Sequence, residues 1–240
     1  MIGFFSSCSV LFNASDNALV DGGEANLDGG ETDLDAGLDS NNANISDDFE
    51  TGDINSRWRR ELENGDSCTV TNAQAASGTY SLRCQTDSAS GSKATIYLDF
   101  DPIYAIRVEM DVRFETSPVL FVDFVQATHV TDTENIRLIN ADYYPNEKID
   151  AWNFRTMATQ PVGQTIPLNT WHHVAFEGTI SSSTGSVSVV VDRDEENAAH
   201  LQNIDTTDKP ITRMSLGISL LSSSVEPHIL YIDNVSISQM

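Results

Sequence analysis

The chain has 240 residues, 40% of them apolar, with three Trp, ten Phe and six Tyr, enough to fill a sizeable core. Its 36 acidic and 13 basic residues leave a formal net charge of −23, which excludes nucleic acid and anionic membrane surfaces as partners, because both select a basic footprint. The acid is unevenly spread: no Lys or Arg precedes Arg57, while twelve Asp or Glu fall in the first 56 residues. The tail and the remainder are therefore read apart.

The start, MIGFFSSCSVLF, is short, apolar and contains Cys8. It resembles the end of a bacterial lipoprotein signal, in which small residues such as Ser6 and Ser7 precede the cysteine that is lipidated. It departs from that pattern at Phe5, where Leu is usual, and in having no positive n-region. The resemblance implies export and a lipid anchor at Cys8, with residues 1–20 as a signal remnant. The alternative is an ordinary N-terminus with a stray Cys. Residues 21–46 open on a degenerate seven-residue repeat, DGGEANL-DGGETDL-DAGLDS, marked by Asp21, Asp28 and Asp35. Paired Gly and one persistent apolar position per unit rule out a coiled coil. Low hydrophobicity and self-repelling charge predict a disordered acidic tether.

Folded sequence is expected from Asp47 to Met240. Short strands at regular spacing, separated by Gly and Pro turn signals, predict one antiparallel β-sandwich. They fall near 67–71, 80–86, 94–100, 104–115, 119–129, 135–143, 151–155, 171–180, 186–192, 211–220 and 229–238, with one helical turn within 192–199. The clearest is YAIRVEMDVRFE over 104–115. Ile106, Val108, Met110, Val112 and Phe114 alternate with Arg107, Glu109, Asp111, Arg113 and Glu115, one apolar face and one charged. Cys68 and Cys84 lie on successive strands about the Ser77-Gly78 turn, where a hairpin brings them opposite each other. In an exported chain they form a disulfide; otherwise they are two buried thiols. Cys8 is then left over, in keeping with lipidation.

Three pieces resemble the concanavalin A-like, laminin G-like jelly-roll superfamily: DDFETGDINSRW followed by ASGTYSLRC, TWHHVAF followed by GSVSVVVD, and the closing YIDNVSIS. Together they cover 47–238. Arg193 stands where a Gly commonly follows the Asp of the second pattern. The resemblance implies a jelly roll. It also implies a structural Ca²⁺ joining the first and last strands, with Asp48 or Glu50 and Asp233 as ligands. The bland reading of Asp233 is a carboxylate that caps a bend or accepts backbone N–H bonds.

Jelly-roll glycoside hydrolases carry a strand reading Glu-x-Asp-x-Glu or Glu-x-Asp-x-x-Glu. Glu109 and Asp111 match its opening, but Arg113 or Phe114 occupies the second carboxylate's place. Glu115 lies about 20 Å further along an extended strand, beyond the ~5–9.5 Å that glycosidase carboxyls span. The face reads as interleaved opposite charges. His172 and His173 point to opposite faces and make no metal constellation. With no nucleophile elbow or phosphate-binding Gly loop, no catalytic residue is assigned.

The expectation is an exported, cell-surface or outer-membrane-anchored, non-catalytic binding module whose partner is a glycan or a cell-surface protein. Trp152, Tyr143 and Tyr144 are the ligand-binding candidates, because aromatic faces cover the apolar C–H faces of sugars. Adjacent tyrosines on a strand point oppositely, so only one of that pair is expected to be exposed. Trp58 reads as core. The alternatives are a divergent polysaccharide hydrolase or lyase, which needs carboxylates clustered on one sheet, and a structural envelope or adhesion domain.

Overall fold

A computed structural model describes residues 44–240 apart from 64, 88, 90 and 223–225. Cys8 and the repeat at 21–40 lie outside the described residues. In chain order the strands are β1 (Ile45–Asp47), β2 (Arg59–Leu62), β3 (Ser67–Thr71), β4 (Ser81–Gln85), β5 (Ala94–Ile103), β6 (Ala105–Phe114), β7 (Val122–Val130) and β8 (Asn135–Tyr143). Then follow β9 (Ile149–Asn153), β10 (Ala158–Pro161), β11 (His172–Thr179), β12 (Gly185–Val191), β13 (Ala199–Ile204), β14 (Ile211–Leu221) and β15 (Ile229–Gln239). They build two antiparallel sheets. One has eight strands in the order β13-β12-β11-β6-β15-β4-β3, with β1 also on β15; the other has seven, β10-β9-β8-β7-β14-β5-β2.

The alternation in β6 does what its pattern demands. Ile106, Val108, Met110, Val112 and Phe114 are buried between the sheets, each side chain contributing about 1.5–3 kcal/mol of transfer free energy. Phe114 joins the layers. Its ring stacks on Tyr143 of β8 at 3.9 Å and meets Phe124 of β7 edge-on at 5.3 Å. The opposite face of β6 is a lattice of surface pairs: Arg107 with Glu109 and Glu177, Arg113 with Glu115, Asp111 with His173. Such half-exposed pairs contribute little to stability.

Four strands escape the sequence pattern, for identifiable reasons. β1 is three residues long, β2 (RREL) is an edge strand rich in charge, β10 (ATQP) is an edge strand ending in Pro, and β13 is a short edge strand. An edge strand has no second neighbour to bury its outer face, so its sequence need not alternate cleanly. The fold also begins two residues earlier than Asp47, at buried Ile45. The helical turn is a 3-10 turn at Glu195–Asn197, capped by the Asp194 side chain on the Asn197 N–H.

Cys68 and Cys84 are direct cross-strand partners of β3 and β4 and are joined as a disulfide. Trp58 is core, its Nε1 donating to Asp47 Oδ2 at 2.8 Å. In β14 the ladder to β7 is interrupted between Leu216 and Leu220. Gly217 there takes φ +116°, and a Cβ at this position would lie 2.5 Å from Ala94 O, so the irregularity requires glycine.

Candidate functional site

Most of the seven-stranded sheet's outer face is polar, yet its centre is buried. β7 shows how. In VDFVQATHV every residue but the last is buried, including Asp123, Gln126 and Thr128. A bulge between Asp123 and Val125 adds a residue to the strand, which returns Asp123 and Gln126 to one face despite their odd spacing. Register then extends this face as three rows across the sheet. The first joins Asp99, Arg213, Thr128 and Arg137. The second joins Arg59, Tyr97, Ser215, Gln126, Asn140, Trp152 and Thr159. The third brings Asp123, Asp142 and Asp150 side by side from β7, β8 and β9.

The carboxylates lie on the floor and hold amides. Gln126 Nε2 donates to Asp123 Oδ2, and Asn140 Nδ2 donates to Asp142 Oδ1, each at 2.5 Å. Burial raises the Asp123 carboxyl to about 7, against the opposing pull of the Arg137 guanidinium. Burial, with the Asp123 and Asp150 charges beside it, also raises Asp142. Asp150 is raised by burial while Thr159 donates to it at 2.8 Å. Four polar atoms on these strands are buried without a protein partner: Asp123 Oδ1, Asn140 Oδ1, Trp152 Nε1 and Ser219 Oγ. Native interiors leave few such atoms unpaired.

One end of the face opens as a cleft of about 230 Å³ lined by Glu61, Lys93, Gln126, Thr128, Asn135, Arg137, Arg213 and Ser215. Arg213 pairs with Asp99 at 2.7 Å and stacks 3.9 Å over the Tyr97 ring; Lys93 pairs with Glu61 at 2.9 Å. Arg137 lies over the Phe154 ring at 5.6 Å and makes no salt bridge among the described residues. The cleft therefore offers one guanidinium with no salt bridge among the described residues, together with amide and hydroxyl groups.

Trp152 sits in the middle row, half-buried and packed edge-on against Phe154 at 6.2 Å. Tyr144 follows β8 at the acidic end, half-buried, near Phe121 at 6.1 Å, its hydroxyl raised by burial and the neighbouring carboxylates. Tyr143 must be corrected. It is fully buried against Phe114, and its hydroxyl donates to Ile166 O at 3.0 Å, so it is a core residue. Asp123, Gln126, Asn140, Asp142, Arg137 and Tyr97 carry no motif that singles them out in the sequence. Their signal was polar residues inside strands that otherwise read as apolar runs.

Asp48, Glu50 and Asp233 are turned to backbone amides. Asp233 Oδ2 accepts from Ala76 N (2.9 Å) and Ser77 N (3.2 Å), and Oδ1 from Asn234 N. Glu50 Oε1 accepts from Thr79 N and Tyr80 N at 2.8 Å, and Asp48 Oδ1 from Glu50 N at 3.2 Å. These bonds agree with the alternative reading of Asp233 as a carboxylate that accepts backbone N–H bonds. Among the described residues no three His, Cys, Asp or Glu are placed to hold a metal ion. Asp233 lies where β15 exchanges its partner β4, last paired at Ile232, for β1, first paired at Val235, which explains a carboxylate in an apolar strand.

No family profile and no curated protein sequence matches the chain. Solved structures do. An endo-β-1,4-glucuronan lyase from the fungus Trichoderma reesei superposes with TM-score 0.64 at 12% identity, over 82% of this chain and 95% of that one. The cellulose-induced protein Cip1 gives 0.63 at 15%, over 82% and 97%. An alginate lyase from Pseudomonas aeruginosa gives 0.52 at 13%, over 67% and 83%. At these identities the likeness shows a shared sandwich fold.

Proposed function

We propose that the chain acts on a uronate-bearing polysaccharide, laid across the rows of the seven-stranded sheet and opened by β-elimination. The carrying observation is the division of labour in the cleft. Arg137, with no salt bridge among the described residues, lines the cleft beside Gln126, Thr128, Asn135 and Ser215, while the carboxylates stay buried and bonded to amides. Glycoside hydrolysis needs two carboxyls that reach the scissile bond from opposite sides, and side-by-side buried ones do not. β-Elimination instead needs a sugar carboxylate neutralised, the C5 proton removed, and a proton delivered as the C4–O4 bond breaks and the C4=C5 double bond forms. Arg137 and the Gln126 amide meet the carboxylate, whose charge grows in the transition state. The Tyr97 phenol, with the Arg213 guanidinium on its face, is the proton-transfer group. The names of the similar lyases support the same direction.

The test is incubation with glucuronan and alginate, following ultraviolet absorption by the unsaturated product. Product is expected, with Arg137→Ala lowering its rate by about 10²-fold or more. No product from either polymer, or full activity in Arg137→Ala, overturns the reaction. A second reading, glycan binding without cleavage, is favoured by the half-buried Trp152 ring in the middle row; saturable binding with no product selects it.

We also infer export, supported by the Cys68–Cys84 disulfide, which persists in oxidising compartments. A lipid anchor on Cys8 is part of this proposal. Labelled fatty acid should enter the wild-type protein in a bacterial host and not Cys8→Ser; equal labelling of both refutes it.

A further inference from the structure

The outer face of the seven-stranded sheet carries opposite charge at its two ends. At one end stand Arg213 and Arg137 in the first row, with Lys93 on the cleft wall. At the other, register sets Asp123, Asp142 and Asp150 side by side. From Tyr97 through Gln126 and Trp152 to Thr159, the row between them is uncharged. Arg137 and Asp142 are five positions apart along β8, roughly 15 Å, more than one sugar ring spans. A bound oligosaccharide therefore meets the two charges through different sugars.

The cationic end has one guanidinium to give. Arg213 is paired with Asp99 and Lys93 with Glu61, whereas Arg137 has no salt bridge among the described residues. The acidic end repels a carboxylate. Asp142 is already raised by burial and by the Asp123 and Asp150 charges, so a further anion either repels the row or forces a proton onto it. Asp150 is the half-exposed member of the row, holding Thr159 at 2.8 Å. Lys148, just before β9, gives its ammonium to Gly163 O. Sugar hydroxyls, by contrast, are donors that a carboxylate accepts.

We propose that the groove selects a mixed polymer, with a uronate at Arg137 and, towards Asp150, a sugar that carries no carboxylate. Asp150 is the specificity-determining residue. This rests on the groove being the glycan site, and it goes beyond the reaction. A homopolymer such as glucuronan has a carboxylate on every sugar, so it is accepted at a disadvantage.

The experiment compares cello-oligosaccharides of one length, unoxidised, oxidised at C6 on a single internal residue, or oxidised at C6 on every residue. Dissociation constants are measured at neutral pH for the wild type, Arg137→Ala, Asp150→Asn and Asp150→Lys. The wild type should bind the singly oxidised ligand about tenfold more tightly than the fully oxidised one, since juxtaposed like charges are costly. Arg137→Ala should erase the advantage of the singly oxidised ligand over the unoxidised one. Asp150→Asn should narrow the ratio between the two oxidised ligands several-fold, and Asp150→Lys should bring it to unity or reverse it. Equal or tighter wild-type binding of the fully oxidised ligand overturns the selectivity, as does an unchanged ratio in both Asp150 variants; cleavage of glucuronan in that case leaves the elimination standing. Tighter binding of the singly oxidised ligand with no unsaturated product supports the selectivity and overturns the reaction. Binding of no ligand removes the groove as the glycan site, and this inference with it.

Discussion

Asp123→Asn should change how stability depends on pH, by an amount the structure supplies. The ordinary Asp value is 3.8 and burial brings this carboxyl to about 7. A carboxyl raised on folding adds no penalty below its unfolded value. As pH rises through the interval up to the folded value, the unfolded chain ionises while the native one resists, and stability falls. The whole shift corresponds to about 4 kcal/mol. Roughly half of it, about 2 kcal/mol, accrues between about pH 5.5 and full ionisation near pH 8.5. Asn has no proton to lose, and with the Asp123 charge gone Asp142 is raised less, which acts in the same direction. Urea unfolding at the two pH values should therefore show the stability difference, Asn minus wild type, growing by about 2 kcal/mol on going alkaline, or roughly 4–8 °C in melting temperature. A difference that is constant with pH, or that shrinks, refutes the buried neutral acid.

Replacing Cys68 and Cys84 together by Ala should cost about 3 kcal/mol in urea unfolding, because the 16-residue separation closes a loop in the denatured chain; a double variant as stable as the wild type would show that the bridge constrains nothing. Melting curves in excess Ca²⁺ and in excess chelator are expected to superimpose, since a cation bound only by the native state raises its stability; a chelator-sensitive melt lost in Asp233→Asn would restore the calcium bridge. Trp152→Ala should weaken glycan binding by about tenfold with little change in melting temperature, because the ring is half-buried on the groove face; unchanged binding would remove it from the site.

The two layers were readable because β6 alternates strictly between buried apolar residues and paired charges, and because β12 carries the same period. The edge strands were not, since nothing buries their outer faces. The groove was hidden for a different reason. A bulge breaks the period of two in β7 between Asp123 and Gln126, so a polar face reads as scattered exceptions in an apolar run. Its members come from seven strands, and only cross-strand register places Tyr97, Ser215, Gln126, Asn140 and Trp152 in a line. The opposite fates of Tyr143 and Tyr144 were implicit in strand geometry, but which of them turned inward depended on Phe114 across the core. That Asp233 accepts backbone N–H bonds was an alternative open from the sequence, but which amides it holds, those of Ala76 and Ser77, depended on the hairpin turn packed beside it.

The central claim is that the recessed face of the seven-stranded sheet, and not the charged face of β6, receives a glycan. Amide and side-chain NMR of the isotope-labelled protein titrated with glucuronan oligosaccharides tests it most directly. The account predicts saturable shifts confined to the side chains and neighbouring amides of Gln126, Arg137, Asn140 and Trp152, with Arg107, Glu109, Asp111 and His173 unmoved. Shifts centred on that second group, or none at all, would contradict it.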